Sequence, residues 1–327
     1  MSRPKVISLF NNKGGVGKTT FLYHLAYRLA AKGKTVLMVD CDSQCNLTAY
    51  SLQDAAIAKS WEDKGNSIYR AIEQVVRTIG DIRDRAPSKI EDSLFIIPGD
   101  LLLSDFEDLL GDTWNAAKGG SESALRPQSA IYRVIRASAD KIKADIVLVD
   151  LGPNLGALNR AVLGGSDYII VPISPDLFSI RGTENLGNKL VRWRKEWDQC
   201  NGSWGGPIEI PQGQPKFLGY VTQHHNIRNN AAGMTQGWQI FGNRVRSAIK
   251  DNIIDKLNPL QQVYAAPHHN FDLGMIPNLH SLIPYSLEAR KPVFNCGSQD
   301  GLKGAHIQSA RDSKALFDPI ADLVAAL

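Results

Sequence analysis

The stretch Lys13-Gly14-Gly15-Val16-Gly17-Lys18-Thr19-Thr20 decides the fold of this chain, because it lies between a strand pattern and a helix pattern. The preceding run from Val6 to Phe10 is apolar and rich in β-branched residues, which is typical of a buried strand. The following segment repeats apolar residues at helical spacing, at Phe21, Leu22, Leu25, Ala26 and Leu29. The order of strand, glycine loop and helix predicts a phosphate-binding loop.

This loop predicts a nucleotide site with bound magnesium. Glycines let backbone N–H groups approach phosphates, Lys18 is expected to reach the β- and γ-phosphates, and the Thr19 hydroxyl is expected to ligate magnesium. Asn12 departs from the usual G-x-x-x-x-G-K-[ST] pattern, but asparagine tolerates left-handed backbone and the loop can still close. The predicted nucleotide contacts are Lys13, Gly14, Gly15, Val16, Gly17, Lys18, Thr19 and Thr20.

Two further apolar runs end on acids, which predicts carboxylates beside the same loop. The runs 34–40 and 145–150 end at Asp40 and Asp150, and Asp42 follows two residues after the first. Open α/β sheets bind ligands at the carboxyl ends of their strands, although an aspartate after a strand can also be a helix cap. The runs 166–172 and 217–222 predict two more strands. Strands alternating with helices favour one α/β domain over residues 1–327, a P-loop NTPase with a mostly parallel twisted sheet and helices on both faces.

The segment from Asn11 to Thr20 resembles the deviant Walker A loop of the ParA/MinD superfamily of partitioning and positioning ATPases. In that family the early lysine crosses a dimer interface to the partner's nucleotide, which implies the same for Lys13; there it acts as an arginine finger does. The segment 40–48 is similar to the D-x-D-x-Q-x-N-x-T switch of the ParA/Soj branch, with Gln44 at the glutamine position. The resemblance implies catalytic roles for Lys13, Lys18 and Asp42, with Asp42 orienting or activating the attacking water. It also implies magnesium contacts, partly through water, for Thr19, Asp40 and Asp150.

The resemblance to the ParA/MinD superfamily continues in later segments of the chain. The segment 151–156 resembles switch II of the family and contains Pro153, and 276–277 and 288–293 resemble its late elements. Relatives contact the base from two late regions, which implies that Gln223 and Pro277 are neighbours of the adenine. The implied cofactors are ATP and Mg²⁺.

Nucleic-acid binding is expected from a local patch, since the net charge is only +4. Such binding would be independent of sequence and sensitive to salt. Arg228 falls where ParA proteins carry a DNA-contacting arginine, whereas Asn278 replaces a residue that is often basic in relatives. Each arginine could equally belong to a solvated helix face. The candidates are Arg181, Arg192, Arg194, Arg228, Arg244 and Arg246.

The resemblance implies a slow, partner-stimulated ATPase. It would form a homodimer with ATP, bind nonspecific DNA, and hydrolyse ATP when a ParB-like or other adaptor protein stimulates it. Such a protein segregates plasmid or chromosomal DNA or positions another cargo, and it is cytoplasmic and nucleoid-associated in its ATP state. The sequence does not indicate which cargo it moves.

Two alternatives use the same loop. A MinD-like regulator cycles on membranes through a basic amphipathic tail, but residues 316–327 contain acids and no Lys or Arg, and no membrane anchor is evident. Residues 316–327 are expected to dock on the domain instead. The iron protein of nitrogenase-like reductases needs cluster cysteines beyond the 145–150 strand, and residues 151–165 contain none.

Loop insertions are predicted near 51–92, 111–128 and 199–214. The second contains the run 118–123, whose glycines and serines are typical of a flexible loop, and the third contains two prolines and paired glycines. Long loops of this kind are expected to contact a partner.

Overall fold

A computed structural model describes residues 3–224, 236–279 and 281–327, in which eight strands form one sheet. The strands are β1 (Lys5–Leu9), β2 (Val36–Cys41), β3 (Ser88–Glu91), β4 (Leu94–Ile97), β5 (Ile146–Leu151), β6 (Tyr168–Ile173), β7 (Lys216–His224) and β8 (Asp272–Pro277). Their order in the sheet is β3-β4-β2-β5-β1-β6-β7-β8, and every neighbouring pair is parallel except β3 with β4. The predicted fold class, a mostly parallel α/β sheet, is confirmed.

Helices connect the strands. Within the described residues they are α1 (Lys18–Ala31), α2 (Asn46–Ser51), α3 (Asp54–Trp61), α4 (Ile68–Val76), α5 (Leu103–Lys118), α6 (Glu122–Ile142), α7 (Ala157–Gly164), α8 (Leu177–Ser203), α9 (Gln236–Ile249), α10 (Asp255–Leu257), α11 (Ile283–Ala289), α12 (Ala305–Asp312) and α13 (Lys314–Ala325). A π-helical turn, Lys250–Ile254, joins α9 to α10.

The sheet separates two hydrophobic cores, because side chains alternate between the faces of each strand. In β1, Val6 packs with helices α4 to α9, whereas Ile7 and Leu9 pack with α1, α2 and α13. The helical face expected after the glycine loop is also confirmed, since its apolar residues are all at most 1% exposed. Helices therefore cover both faces of the sheet, as predicted.

Five predicted strands are confirmed as β1, β2, β5, β6 and β7, whereas β3, β4 and β8 were not expected. β4 has four residues, too few for a clear periodicity. β8 is an edge strand with Gly274 in its middle and two exposed positions, so its apolar pattern is weak. These strands are stabilised by pairing with neighbours that are distant in sequence.

The prediction that the run 118–123, within the segment 111–128, forms a flexible loop is wrong except for a short turn. α5 continues to Lys118 and α6 starts at Glu122, so only three residues form the turn. Trp114 on α5 and Leu125 on α6 are buried with Trp197 of α8, and this tertiary packing outweighs the loop-like composition. In the 199–214 segment, α8 extends to Ser203, so irregular structure begins only at Trp204.

The segment 51–92 contains α3, α4 and β3. That any of these segments is an insertion remains a prediction.

The C-terminal helix α13 docks on α1, as expected. Phe317 stacks on Phe21 with ring centroids 5.9 Å apart, and Lys32 Nζ lies 2.6 Å from Asp322 Oδ1. The acids of α13 therefore pair with the basic end of α1. In the three described ranges, no helix is long and apolar enough to cross a bilayer.

Candidate nucleotide and magnesium site

The glycine loop follows β1 at the centre of the sheet and ends at α1. Gly15 and Gly17 have φ of 70° and 80°, in the left-handed region that favours glycine. A Cβ on Gly17 would also lie 2.8 Å from Gln223 Oε1. The loop encloses a cavity of about 400 Å³ at the N-terminus of α1, where backbone N–H groups favour an anion. Gly14 to Thr20 all line it.

Lys18 and Thr19 line this cavity, and the buried Asp150 is hydrogen-bonded to Thr19. The Thr19 hydroxyl donates to Asp150 Oδ2 at 2.6 Å, while Asp150 Oδ1 is buried and has no hydrogen-bond partner. Burial, together with the neighbouring Asp40, raises the pKa of Asp150 to about 8. Burial lowers the pKa of Lys18, whose ammonium donates to the Lys13 carbonyl at 3.3 Å. Asp150 and Asp42 partly offset the effect of burial on Lys18, and Lys18 partly offsets it on Asp150, so burial is the larger influence on both groups.

Asp40 lies in the last part of β2 and Asp42 directly follows this strand, and the two carboxylates have different surroundings. Asp40 is fully buried; its Oδ2 accepts from the Thr48 amide and hydroxyl at 2.8 and 2.7 Å, and its Oδ1 accepts from the Asp42 amide at 3.2 Å. Burial raises the pKa of Asp40 to about 6. Asp42 is half-buried, accepts from the Gln44 amide at 3.0 Å, and lines the loop cavity. The structure therefore gives Asp40 a bracing role for α2, and any contribution to a magnesium shell is indirect.

Switch II contacts both the glycine loop and Asp42. The Pro153 ring would lie 3.8 Å from a Cβ on Gly14, and a Cβ on Gly152 would lie 3.3 Å from Asp42 Oδ1. Glycine at position 152 thus permits the close approach of the two switch segments. Pro153 lines the loop cavity, so switch II would contact any phosphate group that occupies this cavity.

Lys13 forms an ion pair within its own chain. Its ammonium lies 2.6 Å from Asp176 Oδ2, immediately before α8, and the two side chains are 37% and 34% exposed. Partial burial raises the pKa of Asp176, but hydrogen bonds from Lys13 and Ser179 outweigh this effect, and the pKa is lowered overall. Asp176 was not among the residues predicted from the sequence.

A second cavity, of about 90 Å³, lies on the other side of the glycine loop. Gln223 and Pro277, at the ends of β7 and β8, line it together with Val16. Gln223 Nε2 is buried without a hydrogen-bond partner, so a donor faces an apolar surround. Gln223 and Pro277 thus line the same cavity, and their contact with a base stays a prediction. Further lining residues that the sequence reasoning missed are Asn278, Leu279, Ile283 and Phe317.

Two residues that line the glycine-loop cavity were also missed by the sequence reasoning. Asn46 and Tyr50 lie one helical turn apart on α2 and line the loop cavity. The available signal was the spacing of four residues between Asn46 and Tyr50, which places both on one face of a helix. Among the described residues, no group of three or more His, Cys, Asp or Glu could hold a metal ion. A magnesium ion here would therefore depend on Thr19, Asp150, phosphate oxygens and water, which suits its preference for retaining waters.

The candidate DNA-contacting arginines differ in availability. Arg181, Arg192, Arg244 and Arg246 are exposed. Arg192 pairs with Glu196 at 3.0 Å, and Arg246 lies 3.6 Å from Asp272. Arg194 is only 16% exposed and pairs with Asp198, so it is the least accessible. Arg228 lies outside the described residues.

Known families and curated proteins resemble this chain. A family model described as an AAA domain matches residues 4–200, more than half of the chain. Sporulation initiation inhibitor protein Soj of Bacillus subtilis is 31% identical over 57% of this chain and 64% of its own length. Chromosome partitioning protein ParA of Caulobacter vibrioides is 28% identical over 58% of this chain and 63% of its own length. The chain thus spans less than two thirds of the length of each of these relatives.

Solved structures agree on the architecture. Protein DIP2308 of Corynebacterium diphtheriae superposes with a TM-score of 0.67, with 27% identity over 88% of this chain and 97% of that one. A putative plasmid partition protein of Borrelia burgdorferi bound to AMPPNP superposes with a TM-score of 0.53, with 18% identity over 96% of this chain and 98% of that one. At 18% identity, the similarity to the Borrelia protein supports the fold and not the function. The family match and the site geometry together show that the chain belongs to this AAA-domain family, as a P-loop ATPase of the ParA/MinD superfamily.

Proposed function

We propose that this protein is a ParA-type ATPase that binds ATP and Mg²⁺, dimerises in the ATP state and then binds DNA without sequence specificity. The observation that carries the proposal is that Lys18, Thr19 and Asp42 line one glycine-loop cavity. Asp150 accepts a hydrogen bond from the Thr19 hydroxyl of this cavity. The Borrelia structure with AMPPNP supports ATP as the ligand. The names of the relatives support a role in partition.

The residues divide the chemistry between them. Lys18 compensates charge on the β- and γ-phosphates, and the loop amides bind their oxygens. Asp42, which lines the loop cavity, accepts a hydrogen bond from the attacking water and orients it. Lys13 of one subunit places its ammonium on the partner's phosphates as charge develops in the transition state.

The donor set fits magnesium. Asp150 Oδ1 is a buried oxygen with no hydrogen-bond partner, and it belongs to the carboxylate that accepts from the Thr19 hydroxyl. Bound Mg²⁺ would neutralise charge on the phosphate oxygens. Burial raises the pKa of Asp150, and a bound cation would favour its charged form.

Pro153 links nucleotide state to the surface of the molecule. Its ring lies beside Gly14, and the preceding Gly152 lies beside Asp42, so both switches can respond to the γ-phosphate. Hydrolysis would remove this contact and separate the dimer. A ParB-like or other adaptor would stimulate hydrolysis, and the ATP state would be nucleoid-associated.

The decisive experiment measures binding of the Asp42→Ala protein to random-sequence duplex DNA. Titrations use ATP, ADP or no nucleotide at several salt concentrations. We expect affinity with ATP only, falling steeply with salt, because phosphate contacts release counterions. Replacing the exposed Arg181 or Arg246 by alanine should lower the salt slope by about 1 for each lost phosphate contact. Arg311→Ala, at an exposed arginine on α12, is the matched control.

The outcomes separate the remaining alternatives. ATP-driven dimers that bind no DNA would refute the DNA part of the proposal. Binding of such dimers to anionic liposomes would then support a MinD-like membrane cycle. The docked, acidic α13 argues against that alternative, since Asp318 and Asp322 already pair with α1 and the residue that follows it.

A further inference from the structure

Asp176 has two structural tasks at the start of α8. Its carboxylate caps the helix, because Oδ1 accepts from the Ser179 amide at 3.0 Å and Oδ2 accepts from the Ser179 hydroxyl at 2.9 Å. The same Oδ2 accepts from the Lys13 ammonium at 2.6 Å. The cap therefore fixes the position of the oxygen that binds Lys13.

Lys13 is held from its backbone as well as from its ammonium. Its amide donates to Asn11 Oδ1 at 2.9 Å, and its carbonyl accepts from Lys18 Nζ at 3.3 Å. The loop also packs on α8, since a Cβ on Gly182 would lie 2.9 Å from Asn12 Oδ1. With the backbone fixed, the side chain has one nearby anion, Asp176, in the described part of the subunit.

A lysine cannot satisfy Asp176 and cross to another subunit with the same ammonium. We propose that Asp176 is a positioning residue that holds Lys13 inside the free subunit, so that dimerisation must exchange this ion pair for the partner's bound nucleotide. This inference rests on the proposed ATP-dependent dimer. Neighbouring Leu177 and Phe178 are 55% and 79% exposed, so the exchange takes place beside apolar surface that a second copy could cover.

The strength of the ion pair between Lys13 and Asp176 is limited because solvent reaches both side chains. Both side chains are about one third exposed, and ion pairs of this kind are weak. The pair should therefore shift dimerisation and not block it. Since each dimer breaks two pairs, loss of the restraint should strengthen dimerisation by roughly two- to thirtyfold.

The Asp176→Asn variant removes the ion pair while retaining the cap, since asparagine and aspartate cap helices about equally well. Asp176→Ser is a second variant with the same property. Ser179→Ala is the matched control, because it removes one cap bond and leaves the carboxylate beside Lys13. Circular dichroism would show that each variant keeps its fold.

The first readout does not depend on dimerisation. A small amine-reactive ester modifies nucleotide-free protein, and peptide mass spectrometry compares Lys13 with Lys59, an exposed lysine on α3. We expect Asp176→Asn to increase modification of Lys13 severalfold relative to Lys59, and Ser179→Ala to leave the ratio unchanged. Unchanged reactivity in both Asp176 variants would overturn the restraint.

The second readout is the dimer dissociation constant with ATP, measured by sedimentation in the Asp42→Ala background. Tighter dimers in Asp176→Asn would support the exchange, whereas weaker dimers would overturn it and show that Asp176 is needed across the interface. If the parent protein forms no dimer with ATP, the proposed function fails. The restraint on Lys13 is then judged by its reactivity alone.

Discussion

His24 is a buried histidine that joins the glycine-loop helix to the C-terminal part of the chain. Its Nδ1 lies 2.7 Å from the Thr20 carbonyl and its Nε2 accepts from the Val293 amide at 3.0 Å, which requires the neutral tautomer with a proton on Nδ1. Its ring stacks on Phe317 at 5.3 Å. Burial lowers the pKa of His24 to about 4.

This pKa predicts a loss of stability in acid. Because the unfolded chain binds the proton near pH 6.5 and the folded protein only near pH 4, the contribution of His24 is present above pH 6.5 and is lost as pH falls toward 4. The loss amounts to roughly 3 kcal/mol. The measurement is the free energy of unfolding in denaturant between pH 7.5 and about 4.5.

The comparison uses His24→Gln, which should lack this part of the pH dependence even if it is less stable at neutral pH. Asp40 and Asp150 have raised pKa values and act in the opposite direction, but they are common to both proteins. His306→Gln, at an exposed histidine on α12, is the matched control for the substitution itself. Identical pH profiles for the parent and His24→Gln would contradict the assignment.

At the scale of elements, α8 connects several parts of the molecule. Its start holds Lys13, its middle packs on the π-helical turn Lys250–Ile254, and its end buries Trp197 beside α5 and α6. The middle contact is unusually close, since a Cβ on Gly187 would lie 1.7 Å from the Asn252 carbonyl oxygen. Only glycine permits this approach of the two segments.

Gly187→Ala should therefore destabilise the protein by about 1–3 kcal/mol, because the backbone must move to relieve the overlap. Gly202 lies on the same helix, where an added Cβ would meet no atom within 4 Å. Gly202→Ala should be neutral or stabilise by up to about 1 kcal/mol through helix propensity. The free energy of unfolding of both variants is measured in urea. An unchanged value for Gly187→Ala would contradict the prediction and show that α8 can move away from the π-helical turn without cost.

At the scale of the whole molecule, nucleotide binding should stabilise the fold, since the site joins β1, β2, β5 and α1. A ligand at about 100 times its dissociation constant stabilises the folded state by about 2.7 kcal/mol. We expect Mg·ATP to raise the melting temperature of the parent by several degrees. Lys18→Ala should lose this shift, and Lys13→Ala should keep it as a monomer.

Differential scanning fluorimetry with sedimentation measures both effects. A preserved ATP shift in Lys18→Ala would contradict the assignment of the phosphate loop. ATP-dependent dimers of Lys13→Ala would contradict the crossing role of Lys13. The two lysines are thus distinguished within one loop.

Local patterns in the chain were enough to predict the fold class and the phosphate loop. The central strands are continuous apolar runs, and the residues from Lys13 to Thr20 are contiguous, so neither needs distant partners to be recognised. Asp150 lies near the end of such a strand and Asp42 directly follows another, so their placement beside the loop was predicted for the same reason. The acids of the C-terminal helix also indicated that it docks on the domain.

The remaining features depend on contacts between distant parts of the chain. β3, β4 and β8 are short or at the edge and depend on pairing with distant strands, and the helices over 111–128 depend on Trp197. Asp176 lies 163 residues from Lys13, and no local pattern joins them. The parallel sheet brings β1 and β6 together as neighbours, so the loop that follows each strand lies at the same edge. That adjacency, which is a property of the folded chain, gives Lys13 its ion-pair partner.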